Sequence, residues 1–320
     1  MKRLVLASAL SLVLLPAVPV GPTAAAPAPE RRLPPVGLEY VALGDSWTAD
    51  VVVANREGTP DDTFAPIDCA QSKVNYPRLL AEALSVGEFR DASCGSATTD
   101  DFWDPQTGLP AGGTNPPQFD RLTPTTDLVT VGIGGNDAGV ASAGLDCLSV
   151  TPVETPLAGQ TGFGGCKATY TAGGTDQISQ RIKESEPKLV RAFRAIHRIA
   201  PGERILAIDY FDIVPDHGCS PTVPASDEDM AWIAAKFREL NRMVKRAARR
   251  GGAEFVNTFR RTPEGHDLCA DPQLRWGETY GPSANDAAMG IPAHPNSAGA
   301  RGQAAAILDY LRDTDPDTFR

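Results

Sequence analysis

The sequence predicts an α/β protein built on a parallel sheet that is covered on both faces. Short apolar strands alternate with amphipathic helices along the chain. The central strand candidates, residues 127–133 (DLVTVGI) and 204–208, are apolar on both faces, as strands between two helical layers must be. At 320 residues, 42% of them hydrophobic and 22% charged, the chain is long and apolar enough to bury a large core. No internal repeat or composition break marks a second domain, so residues 38–320 read as one domain.

Residues 1–28 read as a secretory signal peptide. Lys2-Arg3 precede an apolar run from Leu4 to Leu15, which Pro16 ends, and small residues follow at Ala24-Ala25-Ala26. The run is too short to span a bilayer. Residues 29–37 are Pro-rich and form a flexible lead-in. Residues 38–43 make the first strand, which stops at Gly44. Residues 76–84 have helical spacing through Leu79, Leu80, Ala83 and Leu84, and residues 89–92 make a second strand. The third, 127–133, stops at Gly134-Gly135. Residues 176–199 form a long helix with Ile178, Ile182, Leu189, Val190, Phe193 and Ile196 on its apolar side. Pro187 lacks an amide donor and is expected to break or kink this helix near its middle.

Residues 204–208 make the next buried strand. Ser226 then opens a helix with Asp227-Glu228-Asp229 in its first turn and Arg249-Arg250 in its last, before Gly251-Gly252. Acid first, base last and glycine after satisfy the helix dipole and the free carbonyls at its end. Residues 254–257 form a short last strand and 297–311 the last helix. In an open sheet of this kind, ligands bind beyond the carboxyl ends of the strands.

The net charge of −10 excludes several partners. A nucleic-acid binder needs a positive face, and docking on an anionic membrane needs basic clusters. No stretch after the leader is long and apolar enough for stable membrane insertion. The expectation is a secreted, extracellular protein, monomeric by default. The six cysteines, Cys69, Cys94, Cys147, Cys166, Cys219 and Cys269, are an even set behind a leader and read as disulfides, with the pairing open. Zinc, the rival, lacks any Cys-x-x-Cys or closely spaced His pair, so no metal and no cofactor is expected.

Three strand or helix termini carry chemistry-bearing residues. The first strand ends in Gly44-Asp45-Ser46-Trp47-Thr48, which would hold a hydroxyl out of the core with its own amide free; Thr48 stands where a Gly-x-Ser-x-Gly elbow has its last glycine. The third ends in Gly134-Gly135-Asn136-Asp137, where the Asn amide can donate to a developing oxyanion. His294-Pro295-Asn296-Ser297 opens the last helix. Of the other histidines, His197 lies in the long helix, and His217 and His266 sit in loops near cysteines. Each motif alone is also ordinary turn composition.

Together, in this order, the motifs resemble the SGNH (GDSL) hydrolase family, with the match closest to its secreted bacterial lipases and esterases with three disulfides. The residues that carry the resemblance are Tyr40 to Ser46, Asn75-Tyr76-Pro77, Cys94 with Ala97-Thr98-Thr99, Pro116-Pro117-Gln118, Thr130 to Asp137, Gly265 to Cys269, and His294-Pro295-Asn296. They span nearly the whole chain after the leader. The resemblance implies a three-layer α/β/α sandwich with a central parallel, flavodoxin-like sheet. It implies Ser46 as nucleophile, His294 as general base and acid, and Ser46 (by its amide) and Asn136 as oxyanion donors.

A further donor amide follows the cysteine in the family. Related members read Cys-Ser-Gly-Ala there and this chain reads Cys94-Gly95-Ser96-Ala97, so the donor falls on Ser96 with Gly95 beside it. The wider family places an Asp three residues before the His. Here that position is Ile291, so the resemblance implies a Ser–His dyad with the Ile291 main-chain carbonyl orienting the imidazole and Asp286 as a distant rival. The implied disulfides are Cys69–Cys94, Cys147–Cys166 and Cys219–Cys269, and residues 148–174 are expected to form part of the substrate rim.

The function so implied is a lipase or esterase acting on an ester or lipid small-molecule substrate through an acyl-enzyme. The alternatives are a carbohydrate or cell-wall acetylesterase, a phospholipase A, and, outside enzymes, a secreted binding module with a dead site. Against the last, Ser, Asn and His are all present at matching places.

Overall fold

Strand β1 (Glu39–Gly44) enters the core at once, with every residue buried, and turns directly into a short helix α1 (Ser46–Ala49). The computed structural model describes residues 37–54, 59–148, 165–279 and 289–319. The expected signal peptide, nearly all of the lead-in, Asp286 and most of the glycine-rich part of the expected rim lie outside the described residues. After α1 come β2 (Val52–Ala54), α2 (Tyr76–Ala83), β3 (Glu88–Asp91), β4 (Leu128–Gly132), α3 (Val140–Leu148), α4 (Cys166–Thr171) and α5 (Gln177–Ile199). The chain continues through β5 (Arg204–Ile208), α6 (Asp227–Gly251), β6 (Glu254–Val256), α7 (Thr258–Arg261), β7 (Met289–Gly290) and α8 (Ser297–Thr314).

The main sheet has the order β3-β1-β4-β5-β6, with every pair parallel. This is the flavodoxin-like order, in which the path reverses direction between β1 and β4. Alternation along the strands sorts the core into two layers. Tyr40, Ala42, Leu128, Leu206 and Ile208 face Tyr76 and Leu80 of α2 and Ile307 and Leu311 of α8. Val41, Leu43, Val129, Val131 and Ala207 face the other way, into a cluster with Ile182, Leu189 and Phe193 of α5 and Leu240 and Val244 of α6. The result is an α/β/α sandwich. The small antiparallel pair β2–β7 lies outside it.

Capping follows the sequence signals. Ser226 accepts the Asp229 amide at the start of α6, and Gly252, at φ 89°, closes its end. Asn75 caps α2 and also donates through Nδ2 to the buried Asp91 at 2.7 Å, tying the helix to β3. The expectation at Pro187 is corrected: α5 runs unbroken through it. Pro187 lies on the exposed side of the helix, where a carbonyl left without its donor can turn to solvent. The opposite side is locked by packing. The cysteines pair as Cys69–Cys94, Cys147–Cys166 and Cys219–Cys269, the set the resemblance implies.

The carboxyl ends of β1 and β4 meet at Gly44 and Gly132, which are register partners. The Asp45 amide and the Thr48 hydroxyl both donate to the Gly132 carbonyl at 3.0 Å. Gln118 clasps the Gly44 peptide from both sides, Nε2 to its carbonyl at 2.9 Å and Oε1 from its amide at 2.8 Å. A Cβ at position 44 would collide with the Thr48 hydroxyl and come within 2.6 Å of the Gly132 carbonyl. Replacing Gly44 by Ala is therefore expected to cost about 1–3 kcal/mol of stability through overpacking, read as a lowered midpoint in urea.

Candidate active site

Ser46 sits at the first position of α1, immediately past the end of β1, and is 7% exposed. The Asp45 side chain accepts the Trp47 amide at 3.0 Å and so fixes the turn that presents the hydroxyl. The Ser46 amide has no acceptor among the described residues. His294 arrives from the far end of the chain. Its Nε2 lies 2.9 Å from Ser46 Oγ.

The loop that carries His294 is held by main-chain bonds on both sides. Glu278 donates to the His294 carbonyl at 2.8 Å and Ala293 to the Glu278 carbonyl at 3.0 Å. Asn296 accepts the first amides of α8 and donates through Nδ2 to the Arg275 carbonyl at 2.8 Å. The imidazole itself is oriented by main-chain carbonyls: that of Pro292 is bonded directly, and that of Ile291, the acceptor expected from the sequence, also acts on the ring. Nδ1 bonds the Pro292 carbonyl at 3.0 Å, whereas the Ile291 carbonyl takes the His294 backbone amide at 3.2 Å. The turn places Ile291 where a backbone bond forms and aims the next carbonyl at the ring. A carbonyl only accepts, so Nδ1 carries the proton and Nε2 presents its lone pair to Ser46. Among the described residues no carboxylate bonds the imidazole.

The turn after β4 brings in Asn136. Its Nδ2 donates one proton to the Ala97 carbonyl at 2.9 Å and keeps a second. Asp137 next to it accepts from the Thr99 amide at 2.9 Å and from the Thr99 hydroxyl. These bonds clasp the 95–99 turn to the Asn136 turn. The Gly95 amide is already engaged with the Cys69 carbonyl at 3.0 Å. The Ser96 amide has no acceptor among the described residues, and Ser96 adopts φ 63°, the left-handed region that favours glycine. Of the two expected donors, only Ser96 therefore has a free N–H. Two other histidines bond elsewhere: His197 bonds Glu203 and the Gly252 carbonyl, and His266 bonds the Leu274 carbonyl and packs at a tilt against Trp276.

Residues 42–301 match the GDSL-like lipase/acylhydrolase family. The chain belongs to that family. "Lipase 2" of Streptomyces coelicolor is 34% identical over 86% of this chain and 86% of its own length. An esterase of Streptomyces scabiei is 28% identical over 96% and 93%. Among solved structures, phospholipase A1 of Streptomyces albidoflavus superposes with a TM-score of 0.62 at 22% identity, covering 86% of this chain and 99% of that one. The extracellular lipase of Streptomyces rimosus does so with 0.60 at 24%, covering 85% and 99%. Family membership and these relatives make the chain an ester hydrolase of the lipase and esterase type, on the fold this family uses.

Within this GDSL-family site, sequence reasoning missed Pro292 and Tyr210. Tyr210 stands just past the end of β5, as Ser46 and Asn136 stand past β1 and β4. A polar residue beyond a buried strand was the available signal. Its hydroxyl accepts the Gly135 amide at 2.8 Å and donates to Asp45. Burial pushes the Asp45 carboxyl up to about 7, against the hydrogen bonds it accepts. Burial lowers the His294 pKa below its usual 6.5, and the Pro292 and Ile291 carbonyls oppose this only in part. A lowered histidine pKa keeps the imidazole neutral to more acidic pH, so the acid limb of kcat/KM is expected below pH 6.5. An acid limb centred at or above pH 7 would contradict a neutral, buried imidazole as the base.

Proposed function

We propose that the protein is a secreted carboxylic-ester hydrolase that works through a Ser46 acyl-enzyme with a Ser46–His294 dyad. The observation that carries this reading is the 2.9 Å contact between His294 Nε2 and Ser46 Oγ, with the opposite ring nitrogen held by a carbonyl. His294 takes the hydroxyl proton as Ser46 Oγ bonds the ester carbonyl carbon. The oxyanion is received by the amides of Ser46 and Ser96 and the free proton of Asn136 Nδ2. Collapse expels the alcohol, which leaves with the proton from His294. Water then repeats the sequence on the acyl-enzyme and releases the acid. Secretion is supported by the leader at residues 1–28 and by pairing of all six cysteines.

A lipase or medium-chain esterase is favoured over an acetylesterase by the apolar surface beside the dyad. A small cavity of about 20 Å³ lies next to His294, with a mostly apolar wall formed by Trp47, Val214, Met230, Ile233, Phe237 and Leu268. Each further methylene of an acyl chain that packs against it contributes about 0.8 kcal/mol, or about fourfold in binding.

Ser46→Ala is expected to abolish labelling by a fluorophosphonate probe and turnover of p-nitrophenyl esters; retained wild-type turnover would refute the acyl-enzyme. Asn136→Ala should lower kcat by about 10²–10³-fold, in line with loss of one oxyanion donor. Across p-nitrophenyl esters from acetate to palmitate, kcat/KM should rise from the two-carbon acid to a maximum at medium length. A preference for acetate, with no activity at eight carbons or above, would favour the acetylesterase instead.

A further inference from the structure

Tyr210 joins the two turns that supply the proposed oxyanion donors. It stands at the carboxyl end of β5 with its backbone clamped by one side chain. Asn241 of α6 accepts the Tyr210 amide at 3.0 Å and donates to its carbonyl at 2.7 Å. The ring is wedged edge-on against Trp47, with centroids 5.2 Å apart, and against Phe237 at 6.1 Å. Backbone and ring are thus both held by packing and hydrogen bonds, and the hydroxyl reaches a set point between β1 and β4.

At that point the hydroxyl makes two bonds. It accepts the Gly135 amide at 2.8 Å, one residue before Asn136, and it donates to Asp45 Oδ2, one residue before Ser46. The other Asp45 oxygen holds the Trp47 amide. One continuous hydrogen-bonded chain therefore links Gly135, Tyr210, Asp45 and Trp47 and spans both turns, with Asp45 accepting from Tyr210 on one side and from Trp47 on the other. Asp45 is 1% exposed and Tyr210 4%, so no water replaces a lost member. A Cβ on Gly135 would lie 3.0 Å from the hydroxyl, so a side chain there would push the hydroxyl aside by a few tenths of an ångström. Tyr210 bonds neither Ser46 nor His294.

We propose that Tyr210 is a positioning residue whose hydroxyl sets the separation between the Ser46 and Asn136 turns, and with it the aperture of the oxyanion site. This rests on the acyl-enzyme reading above. Phenylalanine would keep the ring packing and leave Gly135 and Asp45 without their shared partner, so the turns would drift relative to each other. Displacements on the scale of 1 Å in such sites cost on the order of a hundredfold in rate.

The test measures Tyr210→Phe in the full-length enzyme with p-nitrophenyl octanoate and an alkyl boronic acid, which forms a tetrahedral adduct on Ser46. We expect kcat to fall by about 10- to 100-fold, KM to stay within about twofold, and boronate affinity to fall in parallel with kcat. In an Asn136→Ala background the same substitution should cost a smaller factor, because the donor it positions is gone. A kcat loss below tenfold, a loss confined to KM, or an undiminished factor in the Asn136→Ala background overturns the proposal. If Tyr210→Phe does not fold, Asp45→Ala removes both acceptors at the other end of the chain and is judged by the same criteria. Ser46→Ala run in parallel separates the failures. Turnover retained there removes the acyl-enzyme itself, whereas an inactive Ser46→Ala beside a near-normal Tyr210→Phe removes only the positioning role.

Discussion

The site depends on how two parallel strands end. β1 and β4 run in register to Gly44 and Gly132, and the Asp45 amide bonds the Gly132 carbonyl before either chain departs. From this joint the two turns leave the sheet side by side, one carrying Ser46 and the other Asn136. Because the strand order reverses between these neighbours, their connections diverge and leave a crevice at the joint. Gly44 has no room for a Cβ, and Gln118 ties its peptide on both faces. The geometry of the site is thus set by backbone bonds among buried residues before any side chain that reacts is considered.

His294 reaches this crevice by a different route. Its loop is not part of the main sheet, so its place is fixed by bonds to another loop. The 275–278 segment pairs with 293–296 through main-chain bonds, and Asn296 reaches from the cap of α8 to the Arg275 carbonyl. That loop is joined in turn to the body of the protein, where Leu268 donates to Ile213 and Cys269 is bonded to Cys219. Closing this long loop with a covalent bond lowers the entropy cost of bringing the C-terminal imidazole to an N-terminal hydroxyl.

Much of this was legible in the sequence where local rules govern. The buried strands 127–133 and 204–208 and the capped helix after Ser226 follow from periodicity and end chemistry. Ser46, Asn136 and His294 were visible as polar residues at the ends of apolar elements, and their joint order carried the family resemblance. What was not legible depends on long-range packing or on backbone path. Pro187 does not break α5 because its ring faces solvent while the other face is locked against the core, which composition does not reveal. β2 and β7 are too short to show a period, and they pair across more than two hundred residues. Spacing placed the donor on Ser96 with Gly95 beside it, and the long-range contact that engages the Gly95 amide, with the Cys69 carbonyl, was not legible. Tyr210 shares the strand-end signal of Ser46, but its partners lie on two other strands.

The shift of acceptor from a carboxylate to the Pro292 carbonyl changes the charge economy of the reacting pair. A carboxylate partner would hold a fixed negative charge against the ring at every stage. A peptide carbonyl holds only a dipole, so in the proposed mechanism hydroxyl and imidazole are both neutral at rest. Proton transfer then creates one cation and one anion a few ångströms apart, each the other's counterion. The acceptor also belongs to the main chain and is indifferent to which side chain that position bears. Selection on this contact therefore acts on the course of the peptide through residues 291–294, not on the identity of an acid.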